Sequence, residues 1–518
     1  MSTKNLLTFI TMILLAFGLM LESTLASSEF LVNTQTSGNQ GTWYNGQVAI
    51  NSSGDFIIAW YSYPQDGSGN GIYAQRYNND GTKNGSEFQV NSYINSDQVC
   101  PSLAIDDSCN FVVTWQSNGQ DGSGYGIYAQ RFDSGGNKVG SEFRVNTYTT
   151  SDQIWSAVAM NGVGDFIISW SSNGQDGSSY GVYAQRYNND GTKNGSEFLV
   201  NSYTNNIQWD SFIVLQDNGK FLITWTSLQD GSGFGVYGQL FNNDGTKNGS
   251  EFRINTQTNN PQEGTSVGMD SYGNFAVTWT SSLQDGSTYG VFAQRFDKDA
   301  NLIGSEFQVN TFTSGAQFHS YLAMDDSGDF IITWESDGQD GSGFGIFAQK
   351  YNNDGTKNGT EYQVNSYTND SQQWSSVAMN GTGNYVIVWM SNNQVDTNSG
   401  WDVYAKHYIT EQEDAITLET FNAEAEGSKI ILTWTTGTEI DNLGFYIVRS
   451  ESTDSGYMLL NEEIILAKGD AYSGYTYCYV DTHVNPGHVY YYWLADLDVH
   501  CEYTIHGPVK VVTDIRGN

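Results

Sequence analysis

Residues 120–132 read Gln-Asp-Gly-Ser-Gly-Tyr-Gly-Ile-Tyr-Ala-Gln-Arg-Phe, and this stretch decides the fold because the chain repeats it. Close copies stand at 65–77, 175–187, 229–241, 284–296 and 339–351, and an altered seventh copy begins at Gln394. A second marker, Glu-Phe or Glu-Tyr followed by x-Val-Asn or x-Ile-Asn, begins at Glu29, Glu87, Glu142, Glu197, Glu251, Glu306 and Glu361. The resulting period of about 55 residues is typical of propellers and solenoids.

The sequence pattern of each repeat predicts four short antiparallel strands, and a propeller blade is a sheet of four such strands. The array starts on a lone fourth strand, Glu29–Asn33, and ends on a third strand, Val403–Tyr408. These two strands are expected to pair and to close a ring without free edges. A solenoid would carry distinct capping units, and the array has none. We therefore predict an all-β protein with a seven-bladed β-propeller over residues 29–409.

The repeat stops after Tyr408, and a short acidic linker at 410–414 leads into a second domain. About seven apolar, aromatic-rich runs within residues 415–514, with Trp434 on an early one, predict a small β-sandwich.

Both regions resemble known bacterial modules. The repeats resemble those of large secreted or surface proteins built on Gln-Asp-Gly-Ser-Gly-x-Gly-[Ile/Val]-Tyr-Ala-Gln-Arg-[Phe/Tyr], a group whose members mostly lack an assigned activity. The second domain is similar to fibronectin type III-like domains in the runs 431–434, 439–445, 490–498 and 506–508. This resemblance implies a spacer or adhesion module.

Charge and the first residues indicate where the protein works. The net charge of −36 makes nucleic acid an unfavourable partner, because phosphates would be repelled. Lys4, an apolar run from Leu6 to Leu21 and the mostly small residues at 23–27 are typical of a signal peptide spanning residues 1–26.

We expect cleavage after Ala26 and a secreted, extracellular or periplasmic protein with no transmembrane segment in the mature chain. Of the four cysteines, Cys478 and Cys501 could bridge neighbouring strands, whereas Cys100 and Cys109 are expected to be free thiols.

A ring of loop carboxylates is the candidate metal site. Calcium takes several oxygen ligands, and the Gln-Asp-Gly-Ser loops place one aspartate in each of six blades on one face. The alternative is structural, since Asp-Gly is a favoured turn pair and each loop supplies a single carboxylate. The candidate calcium ligands are Asp66, Asp121, Asp176, Asp230, Asp285 and Asp340.

Aromatic residues before the first strand of several blades form the candidate ligand site on the same face. Stacking on aromatic rings beside carboxylates and amides is how sugars are bound. The alternative is packing between adjacent blades, because tryptophan is mostly buried in proteins. The candidate residues are Trp43, Trp155, Trp209, Phe318 and Trp374.

No catalytic motif stands out, so the sequence predicts that the protein is not an enzyme. The repeat region holds only His319 and His407, and its near-identical blades argue against one asymmetric active site. We expect an exported, non-catalytic binding or scaffold protein whose partner is a glycan or a surface protein, with calcium as a stabilising ion. Two alternatives stay open: a purely structural envelope or matrix component, and a glycan-processing, sialidase-like enzyme. The second rests on a faint Asp-box pattern at 282–289.

Overall fold

The computed structural model describes residues 27–43, 46–396, 399–409, 416–439, 442–453, 455–461, 463–469, 473–498 and 503–513. All regular elements in these ranges are β-strands. Two compact units divide the chain, Thr24–Thr410 and a second one that contains Glu411–Asn518. The predicted signal peptide, the acidic linker at 410–414 and Cys501 of the predicted disulfide lie outside the described residues. Within the described part of the chain, no helix is long and apolar enough to cross a membrane.

The first unit consists of successive antiparallel sheets, one for each repeat; each has four strands except the first, which has five. The first sheet contains β2 (Asn39–Gly41), β3 (Val48–Ile50), β4 (Phe56–Tyr63), β5 (Gly71–Tyr77) and β6 (Phe88–Gln89). The second contains β7 (Gln98–Ile105), β8 (Phe111–Asn118), β9 (Tyr125–Phe132) and β10 (Lys138–Arg144). The third contains β11 (Gln153–Met160), β12 (Phe166–Asn173), β13 (Tyr180–Tyr187) and β14 (Phe198–Leu199).

Four further sheets complete the unit. The fourth contains β15 (Gln208–Leu215), β16 (Phe221–Ser227), β17 (Gly235–Phe241) and β18 (Lys247–Arg253). The fifth contains β19 (Gln262–Met269), β20 (Phe275–Ser282), β21 (Tyr289–Phe296) and β22 (Leu302–Gln308). The sixth contains β23 (Gln317–Met324), β24 (Phe330–Asp337), β25 (Phe344–Tyr351) and β26 (Lys357–Gln363). The seventh combines β27 (Gln372–Met379), β28 (Tyr385–Asn392) and β29 (Trp401–Tyr408) with β1 (Phe30–Leu31).

The second strand of each sheet is apolar on both faces because it is covered on both faces by other sheets. In the second sheet, Val112 packs with residues of the third sheet, whereas Val113 packs with residues of the first. Each of these strands carries one fully buried tryptophan: Trp60, Trp115, Trp170, Trp225, Trp279, Trp334 and Trp389. The prediction of an all-β chain with repeated four-stranded sheets is confirmed.

The first strands of the sheets surround a central channel. Strands β3, β7, β11, β15, β19, β23 and β27 contact one another in succession, and β27 contacts β3. The strand β1 completes the seventh sheet by pairing Phe30 with Ala405 and Leu31 with Tyr404 of β29. One end of the channel opens into a cavity of about 770 Å³, lined by the last residues of the surrounding strands.

Both repeat markers of the sequence hold the sheets together. The amide Nε2 of Gln175 donates to Oε1 of Glu197 at 2.6 Å, and Oε2 of the same glutamate accepts from the backbone N–H of Thr147 in the preceding repeat at 2.7 Å. The pattern recurs around the unit, and at its ends the N–H of Ser366 donates to Glu29 at 2.7 Å. The glutamine and glutamate of the repeat therefore stabilise contacts between neighbouring repeats.

The second unit contains two antiparallel sheets. One consists of β30 (Ile416–Glu426), β31 (Lys429–Glu439) and β35 (Thr476–Asp481). The other consists of β32 (Asn442–Ser450), β33 (Met458–Leu459), β34 (Ile465–Leu466), β36 (Val489–Asp498) and β37 (Tyr503–Val512). Both contribute to one buried core, in which the ring of Trp434 stacks on that of Tyr477 with 5.1 Å between centroids and contacts Phe445.

Candidate active site

The first strand of the sheets carries a break in register near its start. In β15, for example, the pairing with β16 shifts between Trp209 and Phe212. At this break one residue adopts a positive φ angle, and the series runs Cys100 (54°), Trp155 (54°), Asp210 (54°), Gly264 (70°), His319 (50°) and Trp374 (53°). Residues other than glycine rarely adopt this conformation, and such strain is often found at functional sites.

The positions at the register breaks are also where the repeats differ most in chemistry. Cysteine, tryptophan, aspartate, glycine and histidine follow one another there, and the residue just before the break varies as well, although most other positions of the sheets are closely alike. The near-identity of the repeats, which argues against one asymmetric site, therefore does not extend to these positions. In the order of the sheets, Asp210 and His319 stand on either side of Gly264, and Trp155 and Trp374 stand outside them.

A pocket of about 330 Å³ opens at this arc of residues. Its size lies at the lower end of the range of small-molecule sites. It is found at the start of the first strands, whereas the large channel cavity lies at their other end. Its lining combines aromatic rings with two carboxylates and an imidazole: Trp155, Trp209, Asp210, Glu263, Gly264, Thr280, Tyr289, Phe318 and His319.

Two carboxylates of the pocket are desolvated. The pKa of Asp210 is raised to about 6, mainly by burial; the charge of His319 opposes this rise, and the nearby Glu263 adds to it. Burial also raises the pKa of Glu263, again against the effect of His319. Because each of these charges influences the other, Asp210, Glu263 and His319 form one electrostatic unit.

His319 is fixed from three sides. Its Nδ1 lies 3.0 Å from Oε1 of Glu335, a fully buried carboxylate on β24. Its ring stacks on the indole of Trp374, with 3.9 Å between centroids and 23° between planes. The ring of Phe318 meets it edge to face, with 4.5 Å between centroids. The imidazole is therefore held in one orientation while it lines the pocket.

The five aromatic residues predicted as a ligand site all lie at this end of the unit. Trp155, Trp209 and Phe318 line the pocket. Trp374 stacks on His319, and Trp43, which is 43% exposed, lies 6.5 Å from Trp374 between ring centroids. The rings contact neighbouring repeats, as in the packing alternative, yet each keeps part of its surface exposed. Their role in binding stays a prediction.

The six aspartates predicted to bind calcium occupy turns. In each, Oδ1 accepts a hydrogen bond from the N–H two residues on, as Asp230 does from Ser232 at 3.0 Å. The other oxygen, Oδ2, is buried without a hydrogen-bond partner in all six: Asp66, Asp121, Asp176, Asp230, Asp285 and Asp340. Within the described residues, no group of three or more His, Cys, Asp or Glu side chains is arranged to hold a metal ion. Calcium binding stays a prediction.

Sequence reasoning missed Asp210, Glu263 and Glu335 as site residues and gave His319 no role. The signal was present: these residues depart from what the other repeats carry at the same positions. At the position of Glu335, the residue after the buried tryptophan, the other repeats have Tyr61, Gln116, Ser171, Thr226, Thr280 and Met390.

No protein-family model matches the chain, and the search of curated proteins returned no match. Similar solved structures include a protein of unknown function from Dyadobacter fermentans, with 9% identity and a TM-score of 0.46, covering 75% of this chain and 99% of that one. An endo-arabinase from Bacteroides thetaiotaomicron has 16% identity and a TM-score of 0.31, covering 47% and 90%. An α-L-arabinofuranosidase from Lactobacillus brevis has 13% identity and a TM-score of 0.32, covering 64% and 96%.

These comparisons correct the functional prediction made from the sequence. Glycoside hydrolases recur among the similar structures. This finding contradicts the prediction of a non-catalytic binding or scaffold protein, and with it the prediction that the chain is not an enzyme. The physical reason lies in the pocket, where the register breaks bring two desolvated carboxylates together that no sequence motif announces.

Proposed function

We propose that this protein is a glycan-processing enzyme that hydrolyses a glycosidic bond at the pocket of Asp210 and Glu263. The observation that carries the proposal is the pair of desolvated carboxylates among aromatic rings. Glycoside hydrolysis needs two carboxyl groups near the scissile bond, one protonated and one ionised. Aromatic faces beside such a pair supply stacking surfaces for sugar rings.

Asp210 is the general acid of the proposed mechanism. A pKa of about 6 keeps a useful fraction of this side chain protonated near neutral pH, and a catalytic acid works best with a pKa near the operating pH. Its carboxyl proton passes to the leaving-group oxygen as the bond between that oxygen and the anomeric carbon breaks. The positive charge that develops on the sugar ring is stabilised by the second carboxylate.

Glu263 is that second carboxylate. Burial raises its pKa, but the charge of His319 opposes this rise and so favours the ionised form, which a base or a nucleophile requires. The net reaction adds one water across the bond: its hydroxyl goes to the anomeric carbon and its proton restores the acid. Trp155 and Trp209, whose rings meet edge to face at 5.3 Å, flank the acid, and Phe318 flanks the other side.

We also propose the finer architecture that places this site. The cyclic contacts of the first strands support a seven-bladed propeller over residues 29–409, with β1 closing the last blade. The shared core of the two C-terminal sheets supports a fibronectin type III-like sandwich over residues 415–514. Export through a signal peptide at 1–26 stays a prediction, and a glycan is the proposed substrate.

The test is hydrolysis of aryl glycosides of the common pentoses and hexoses, and release of reducing ends from arabinan, xylan and galactan. Asp210→Asn and Glu263→Gln should each lower the rate by about 100-fold or more, since removing a catalytic acid or base costs that much. The matched control is Asp107→Asn, a carboxylate at the opposite end of the channel, which should retain the rate. Activity that survives both pocket substitutions would overturn the proposal, as would a complete lack of hydrolysis across the panel.

A further inference from the structure

Glu335 departs from its repeat in a way that the fold does not require. The same position in other repeats accepts a hydrogen bond from the backbone N–H at the next register break. Gln116 does so for Trp155 at 3.0 Å, and Ser171 does so for Asp210 at 3.1 Å. Glu335 performs the same task for the N–H of Trp374 at 2.7 Å. Neutral oxygens therefore suffice for the structural role, and the negative charge of Glu335 needs another explanation.

The free-energy cost of a charge on Glu335 depends on how deeply its carboxylate is buried. The Glu335 side chain has no exposed surface, and its Oε2 has no hydrogen-bond partner among the described residues. A buried carboxylate is strongly unfavourable unless a cation pairs with it. Among the salt bridges of the described residues, the cationic partner of Glu335 is His319, at 3.0 Å.

We infer that Glu335 is a positioning residue of the proposed enzyme, which holds His319 as an oriented imidazolium against the catalytic carboxylates. This inference rests on the proposed function for its catalytic consequence, but the pairing itself stands on the geometry. Nδ1 of the imidazole is engaged by Glu335 and one ring face by Trp374, which leaves Nε2 for the pocket that the ring lines. Stacking on an indole favours the charged ring further.

The imidazolium sets the charge balance of the pocket. The charged groups that act on one another here are Glu335, His319, Asp210 and Glu263. Two neighbouring carboxylates repel, and a cation beside them favours their ionised forms. With His319 charged, the pKa values of Asp210 and Glu263 are lower than they would be beside a neutral ring. Glu335 thus acts on the reacting carboxylates through His319.

The test compares Glu335→Gln with the wild type. The amide oxygen can still accept from the N–H of Trp374, so the substitution removes the charge and keeps the hydrogen bond. The histidines are labelled with ¹³C at Cε1, and the signal of His319, assigned from its loss in His319→Gln, is compared by NMR between the two proteins at the same pH. We expect this signal to move toward the position of a neutral imidazole in Glu335→Gln. An unchanged His319 signal would overturn the inference, whether or not any substrate is hydrolysed.

The pH dependence of hydrolysis provides the second readout. A neutral His319 no longer opposes the rise in the carboxylate pKa values, so both limbs of the rate profile should move to higher pH in Glu335→Gln. A structural effect alone would lower the rate and leave the limbs in place. In a His319→Gln background, Glu335→Gln should no longer move them; a persisting displacement would show that Glu335 does not act through His319.

Discussion

The Gln-Asp-Gly-Ser loops and the register breaks lie at the same end of the repeat unit, yet the repeats treat them in opposite ways. The loop is nearly invariant in six copies. Its glutamine bonds to the glutamate of the same repeat, and its aspartate accepts a backbone hydrogen bond within the turn. The register break changes from cysteine to tryptophan, aspartate, glycine and histidine. In this protein, the residues that recur in every repeat stabilise the fold, whereas the residues that differ between repeats form the candidate site.

The largest effect is expected when the register break of one repeat receives the residue that two other repeats carry there. Gly264→Trp places an indole at a position where Trp155 and Trp374 already adopt nearly the same φ angle. A side chain at Gly264 would project into open space, since its nearest neighbour is the Thr280 hydroxyl at 4.0 Å. The pocket should be filled and hydrolysis lost by about 100-fold or more, while the positive φ angle at this position lowers the melting temperature by a few degrees at most.

Gly268→Ala is the contrasting change on the same strand. An added Cβ there would lie 2.5 Å from a side-chain carbon of Leu322, so the melting temperature should fall. Circular dichroism melts and rate measurements on both variants check the pair. A Gly264→Trp protein that still hydrolyses substrate would show that the pocket is not the site.

A smaller effect, on stability, should distinguish the pocket aspartate Asp210 from the aspartates of the Gln-Asp-Gly-Ser loops. The pKa of Asp210 is raised to about 6, so its ionisation in the folded state becomes unfavourable as the pH rises past the ordinary carboxyl value. Asp210→Asn should therefore raise the melting temperature by a few degrees at pH 7.5 and leave it unchanged at pH 4. This gain in stability would come with loss of activity, a trade-off common at active sites.

Asp230→Asn on the same sheet supplies the control, because the amide oxygen can still accept from the N–H of Ser232. Any change that it causes in the melting temperature should be the same at both pH values. Destabilisation of Asp210→Asn at pH 7.5 would contradict the desolvation of this carboxylate.

The smallest expected effect concerns calcium. If the loop aspartates bind it, millimolar calcium should raise the melting temperature relative to EDTA, since a ligand of the native state stabilises it by mass action. Asp121→Asn and its equivalents should then remove the rise step by step. An unchanged melting temperature would leave these aspartates as turn residues, the role that their backbone hydrogen bonds already show.

Most of the fold could be predicted from the sequence, because the same strand and turn pattern recurs in every repeat. Spacing and turn residues predict the four-stranded units, and the register of the array predicts the pairing that β1 makes with β29. The site was harder to predict for a physical reason. One extra residue at the register break turns Asp210 or His319 toward the pocket, and an alternating strand pattern does not reveal such a break.

Glu335 was missed for another reason. It occupies a strand position at which the sequence pattern predicts a buried core residue. Its partner His319 lies 16 residues earlier on the neighbouring strand β23, and only the pairing of β23 with β24 brings them together. Comparing the repeats position by position, and not only for what they share, would have singled out both residues.

The pairing of β1 with β29 also determines when, during synthesis of the chain, the last sheet of the first unit can be completed. Phe30 is synthesised early, and Ala405, the residue that it faces, follows only after almost every other strand of the unit. Contacts between such distant residues form slowly, because a long loop must close before they can stabilise the chain. The last sheet carries Trp374, the residue on which His319 stacks. A nascent chain that lacks the final repeat therefore lacks both the strand that pairs with β1 and the indole on which His319 stacks.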